Sequence, residues 1–279
     1  MKLLIQSDDY GITKAQALGC IEAIKYRMLR NTGIFTNMPW FDEVAEWIKP
    51  YINDIALGID LNASTGPSVC DPSEIPDLVQ PNGYFLTSNQ NRALDTPENN
   101  YDHVNYEQLK KEFKAQFQKY VDKFGKLPDY VSGHAYGTKT TVKVLNEIAD
   151  EYGLIHVTYH GRFYLAPTWR DGVDYSEYWY GDRALENQAK PLLKEFILND
   201  VSHFVEDDVP IGWICCHTGY VEKTLFDLSS FTLFRMNDLD AMTSPEVKKF
   251  YEDHNVEFIT WKDVEKGYEK AMDVSQMNL

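Results

Sequence analysis

Short apolar runs alternate with stretches of helical periodicity from the first residues onward, and this alternation constrains the fold most. Leu3-Leu4-Ile5 leads into Gln6-Ser7-Asp8-Asp9-Tyr10-Gly11; a run this brief can only be a strand, and Asp and Gly should end it. Thr13 is a good N-cap for a helix over about 14–30, with Ala17, Leu18, Ile21, Ala23, Ile24 and Met28 as its apolar face. Residues 33–38 read as a strand stopped by Pro39, 41–51 as a helix, and 55–62 as a strand carrying Asp60 at its end. Strand, helix, strand, helix, strand is the pattern of a parallel sheet with helical crossovers. At 279 residues the chain is long enough for one α/β barrel or for two smaller domains.

The rhythm then breaks twice. Residues 63–105 hold Pro67, Pro72, Pro76, Pro81 and Pro97 among many Asn, and 161–187 are rich in Tyr, Trp, Arg and Asp. Loops of that length inside a compact fold are usually lids or binding loops. Between and after them the periodicity predicts helices over 106–124, 141–152, 189–199, 245–254 and 263–272. It predicts strands over 130–137, 155–159, 211–217 and 256–260, those at 130–137 and 211–217 presenting His134 and His217 at their ends.

Asp8 and Asp9, Asp60, His134 and His217 thus fall at strand C-termini, the end where α/β folds gather their chemistry. Each alone has a structural explanation as a cap or a core residue. Adjacent carboxylates repel unless a cation lies between them or one is protonated, so the set points to a metal-assisted hydrolase. His103, His203 and His254 read as surface or loop residues. His156 and His160 share a strand face but are ~13 Å apart, too far to share an ion.

A net charge of −16 disfavours nucleic acid and anionic membranes as partners. Cys20, Cys70, Cys215 and Cys216 lack metal-binding or disulfide spacing and read as reduced, mostly buried residues. The N-terminus has no secretory apolar core and no run approaches a membrane span. The expectation is a soluble, cytoplasmic protein.

Read together, these segments resemble the YdjC-like (ChbG-type) carbohydrate deacetylases. Ser7-Asp8-Asp9-Tyr10-Gly11 is similar to that family's N-terminal Asp-Asp motif. Cys216-His217-Thr218-Gly219-Tyr220, Ser229-Ser230-Phe231 and Arg235-Met236-Asn237-Asp238-Leu239 match its C-terminal region in order, and 128–134 resembles its Asp-Ser-His segment. The resemblance implies a single-domain distorted (β/α) barrel with long excursion loops. It implies removal of acetyl groups from N-acetylated mono- or oligosaccharides of chitooligosaccharide type, with or without a phosphate. One divalent metal ion, Mg, Mn or Zn, is implied, with Asp9 and His134 as ligands. Asp8 would be the general base, His217 the general acid, and Arg235 a brace for the site or for a carboxylate in it.

The chain departs from the family at several positions. Asp60 stands where the family has its first ligand histidine, Ala135, Tyr136 and Thr138 replace histidines after the His134 position, and Thr218 replaces a proline. Asp9, Asp60 and His134 would make a two-carboxylate, one-imidazole set that shifts preference toward harder metals. A catalytically altered or inactive sugar-binding protein on the same scaffold is the alternative. Tyr84, Trp169, Tyr178 and Trp179 are candidates to stack on sugar rings, and Arg162, Arg170 and Arg183 to meet a substrate anion. A small carbohydrate is the expected partner, and a homodimer an open expectation.

Overall fold

The structure is a computed structural model, and it describes residues 1–157, 178 and 182–264. These group into two compact units interleaved along the chain. One comprises the described residues of Met1–Thr32, Glu46–Ala56 and Leu165–Val264; the other comprises those of Gly33–Ala45 and Leu57–Tyr164.

In the first unit, strand β1 (Lys2–Tyr10) is flanked by parallel partners. Lys2–Ser7 pair with β5 (Ile211–Cys216), and Lys2–Leu4 pair on the other edge with β6 (Glu257–Ile259). Leu3, Leu4, Trp213 and Ile214 are buried, so the strand is apolar on both faces, as a covered parallel strand must be. As predicted, both aspartates lie at the C-terminal end of β1, which stops at Tyr10 before Gly11, while its ladder with β5 ends at Ser7. Asp9 then takes a left-handed backbone (φ 67), which Asp tolerates better than most residues.

Helix α1 (Lys14–Tyr26) starts where Thr13 accepts the Gln16 N–H. It ends short of the expected residue 30 because Arg27 turns left-handed at φ 71. Gly19 lets this helix touch the chain after β5, since a Cβ there would lie 2.7 Å from the Gly219 Cα. Gln16 completes the joint, accepting from the Gly11 N–H (2.8 Å) and donating to the Thr218 carbonyl (3.0 Å). The helix predicted over 189–199 is present but shorter, Leu192–Leu198, and a separate short helix, Ala184–Gln188, precedes it. Pro191, which cannot donate a main-chain hydrogen bond, is the N-cap of Leu192–Leu198. Helices Lys223–Leu228, Phe234–Met242 and Pro245–Asp253 follow. Residues beyond 264, including most of the predicted terminal helix, lie outside the described residues.

In the second unit, β3 (Ala56–Leu61) pairs in parallel with β4 (Val131–Gly133), Asp60 opposite Ser132. Strand β2 (Asn31–Ile34), of which Gly33 and Ile34 belong to this unit, is shorter than expected and begins earlier. Its predicted continuation leaves the ladder, because the Thr36 hydroxyl donates to the Gln116 carbonyl and the Asn37 amide to the carbonyls of Thr65 and Pro67. Strand β4 is likewise cut short, since Ala135 turns left-handed at φ 51. Beyond it, His156 makes only an isolated bridge to Val131 in place of the predicted strand start.

The first excursion is ordered. It contains a helix at Ser88–Leu94, closed by a reciprocal Thr87–Gln90 capping box, and short 3-10 turns at Pro72–Glu74 and Pro97–Asn99. Helix Tyr106–Phe124 has the predicted bounds because both ends are written locally, Asn105 as N-cap and Gly125 as left-handed C-cap. Its buried Glu112 accepts the Val69 and Cys70 main-chain N–H groups, pinning the excursion to the helix. Burial and this carboxylate push the Cys70 thiol up to about 12. No helix among the described residues is long and apolar enough to cross a membrane.

Candidate active site

Strand geometry assigns the adjacent aspartates different company. Successive side chains alternate faces, so Gln6 and Asp8 share one side of β1. Asp8 Oδ1 accepts from Gln6 Nε2 at 2.6 Å and Oδ2 from Cys215 Sγ at 3.1 Å. Trp261 Nε1 in turn donates to Gln6 Oε1 at 2.6 Å, and Trp261 rests edge-on against Trp213. A half-buried carboxylate is thus oriented through a relay anchored in the core. Ser7, on the opposite side, hydrogen-bonds the Thr218 hydroxyl and accepts the Thr218 N–H, both at 2.8 Å, tying β1 to the chain just after His217.

Asp9 is 1% exposed and meets Arg235, 0% exposed, whose Nη2 donates to Asp9 Oδ2 at 2.7 Å. The cation that the sequence demanded for the acidic pair is, for Asp9, this guanidinium. His217 joins the same carboxylate, its Nε2 3.7 Å from Asp9 Oδ2. The His217 main-chain N–H donates to buried Asp238 at 2.7 Å, and its ring lies 4.8 Å from that of Phe231. Arg235 is fixed by Nε donation to the Phe231 carbonyl, and its guanidinium also stands over the Phe231 ring at 5.5 Å. Its Nη1 is buried with no hydrogen-bond partner among the described residues. Sequence placed Asp238 in a motif without giving it a role. Gln188 carries no signal in the sequence, yet its Oε1 accepts three donors from Thr232 and Leu233 and its Nε2 donates to the Ser230 carbonyl, shaping the loop before Arg235.

The second unit holds the other candidates. Asp60 is fully buried on β3, and the space for its carboxylate exists because residue 33 is glycine: a Cβ at Gly33 would overlap the Asp60 Oδ1 and Cγ atoms. His134 follows β4, with its main-chain N–H on the Leu61 carbonyl at 3.2 Å. Its Nε2 lies 3.1 Å from Thr65 Oγ1 and its ring meets Phe35 edge-on at 4.8 Å. Asn62 sets Thr65 in place, since its Oδ1 accepts from Ser64 and Thr65 main-chain N–H groups and its Nδ2 donates to the Thr65 carbonyl. Tyr136 donates its hydroxyl to Asp95 at 2.7 Å and so joins the excursion to the segment after His134.

Tyr84 is 41% exposed on the excursion, bridged to Pro67. Arg183 pairs with Glu186 at 2.7 Å, and the Tyr178 ring packs on Phe234 at 5.4 Å. Trp169, Arg170, Arg162, Trp179 and His160 lie outside the described residues. The other histidines keep the structural roles expected of them: His103 bonds Asn91, His156 bonds Asn146 and exposed His203 pairs with Glu206. Neither unit, among its described residues, gathers three His, Cys, Asp or Glu side chains into a metal-holding group.

The fold is a parallel-stranded α/β architecture with acidic and histidine side chains at its strand ends. The model of the YdjC-like proteins matches residues 2–253, and the chain belongs to that family. Among its relatives, carbohydrate deacetylase 2 of Listeria innocua is 26% identical over 274 residues, covering 95% of this chain and 100% of that protein. The carbohydrate deacetylase of Clostridium beijerinckii is 24% identical over 270 residues, with the same coverage. The fold is shared with the crystal structure of an Enterococcus faecalis protein proposed to cleave cellobiose phosphate. That match has a TM-score of 0.71 at 23% identity over 94% of this chain and 97% of the other. A Streptococcus mutans CE4 esterase aligns with a TM-score of 0.51 at 12% identity, over 93% of this chain and 85% of that one.

Proposed function

We propose that the protein is a carbohydrate N-deacetylase, hydrolysing the acetamide of an N-acetylated mono- or oligosaccharide. The observation that carries this reading is the buried Asp9–Arg235 pair with the His217 ring beside it, at the C-terminal end of β1 in a YdjC-like chain. Curated relatives named carbohydrate deacetylases supply the substrate class. A chitooligosaccharide, with or without a phosphate, is the proposed form.

Side chains of the type that a hard divalent cation takes are present in each unit, the Asp9 carboxylate in the first and the Asp60 carboxylate and His134 imidazole in the second. Each is a proposed metal ligand, and a bound divalent ion would supply Lewis-acid polarisation of the acetamide and of water. The protein's own groups handle the protons. Asp8, oriented by Gln6 and Cys215, takes a proton from the attacking water. As the C–N bond breaks, His217 gives a proton to the departing amine, and acetate leaves. A proton on His217 Nε2 faces the Asp9 carboxylate 3.7 Å away, while Asp238 fixes the backbone that carries the ring. Arg235 compensates the buried charge of Asp9.

His217→Ala is expected to lower kcat for acetate release by about 10²–10⁴-fold, with the melting temperature little changed. An unaltered rate would remove His217 from the mechanism. A specific observation favours a second reading, a sugar-binding protein with altered chemistry: Asp9 Oδ2 is already engaged by Arg235, and Asp60 stands where the family resemblance implies a histidine. Saturable sugar binding by the wild-type protein without acetate release would select it.

A further inference from the structure

At the opposite end of β1 from Asp9, the first unit holds a cavity of about 510 Å³ that the deacetylation site does not use. Phe258 on its wall is level with Leu3 in the β1–β6 ladder, so the cavity and Asp9 are separated by six residues of strand, roughly 20 Å at ~3.3 Å each. A volume of this size suits a small organic ligand.

Its walls divide into two kinds. Ile24, Leu29 and Ile55 are buried aliphatic lining residues, and Tyr51 and Phe258 are aromatic ones. Lys25, Arg27 and Arg30 bring three cations against one lining carboxylate, Asp54. That is a local excess of positive charge on a chain of net charge −16. Arg27, at the left-handed end of α1, makes no salt bridge with a described residue, and Lys25 reaches Glu22 only at 4.0 Å.

Arg30 is built in place. Its Nη1 donates to the Phe258 carbonyl at 3.1 Å and its Nη2 to the Asp54 carbonyl at 3.0 Å, neutral acceptors that hold the guanidinium without cancelling its charge. Asp263, outside the lining, offsets part of the Arg30 charge while its Oδ2 accepts the main-chain N–H and hydroxyl of Thr260. Cations grouped beside aliphatic and aromatic lining residues suit a ligand with a flat ring body and a phosphate, since arginine and lysine pair with phosphate oxygens and rings stack on rings.

We propose that this cavity binds an organic phosphate with a flat apolar body, of the size of a mononucleotide. The test is calorimetric titration of the whole chain with AMP, adenosine, inorganic phosphate and glucose 6-phosphate. AMP is expected to bind saturably and at least about tenfold more tightly than the other three. Lys25→Gln combined with Arg27→Asn, the latter chosen because Asn tolerates the left-handed backbone at 27, should weaken AMP at least about tenfold with the melting temperature unchanged. Arg30→Lys should weaken it as well. Absence of AMP binding, AMP binding no tighter than inorganic phosphate or adenosine, or AMP binding untouched by the double variant would each overturn the proposal. Glucose 6-phosphate binding as tightly as AMP would overturn the requirement for a flat ring.

Discussion

Asp9→Ala is expected to abolish acetate release and to destabilise the fold by about 3–5 kcal/mol, the cost of leaving a buried charge without its partner. Arg235 is the group left behind. Its side chain is 1% exposed and its Nη2 would lose the 2.7 Å bond to Asp9, while Nη1 already has no hydrogen-bond partner among the described residues. The phenylalanine ring and the Phe231 carbonyl remain, but neither carries the opposite charge. If this explanation is right, the loss belongs to the pair and can be recovered without restoring it. Asp9→Ala combined with Arg235→Met should regain most of the stability in urea denaturation while staying inactive, because a packed apolar side chain needs no counter-charge. A double variant as unstable as the sum of its two single changes would show that the pair is not coupled.

The second large effect is expected from the smallest change. Gly33→Ala should destabilise the protein by about 3 kcal/mol, since the added methyl must displace a fully buried carboxylate that is only two bonds from the β3 backbone. Asp60→Ala removes the obstacle. Gly33→Ala with Asp60→Ala should therefore lie above the Gly33→Ala single variant in stability, with a coupling energy of about 1–3 kcal/mol in a double-mutant cycle. Additive effects would mean that residue 33 does not make the room for Asp60. The pairing gives the unusual carboxylate a structural basis: the strand beside it has given up a side chain.

Much of this architecture was legible locally. Helix Tyr106–Phe124 emerged with both ends correct because Asn105 and Gly125 are short-range signals. The chemistry-bearing residues at the ends of β1, β3, β4 and β5 were readable because an apolar run that meets Asp or His has few alternatives. What failed depends on contacts distant in sequence. Adjacency suggested that Asp8 and Asp9 share a cation, but their separate partners follow from strand alternation and from the register that brings Cys215 beside Gln6. Cys215 itself read as a small buried hydrophobe, and it is also a donor. Gly33 carried no local signal of its role, because the atom it must avoid belongs to residue 60. Thr65 and Gln188 act through loops whose course the periodicity does not encode.

The central claim, metal-dependent deacetylation by these residues, is tested most directly on protein stripped with a chelator and supplied with one divalent metal at a time. Acetate released from diacetylated chitobiose is the measurement, with Asp9→Asn run in parallel. Acetate release should vanish on stripping, return with at least one of Mg, Mn or Zn, and stay absent in Asp9→Asn under every metal. No release by the wild-type protein with any of the three, or equal release by Asp9→Asn, would contradict it.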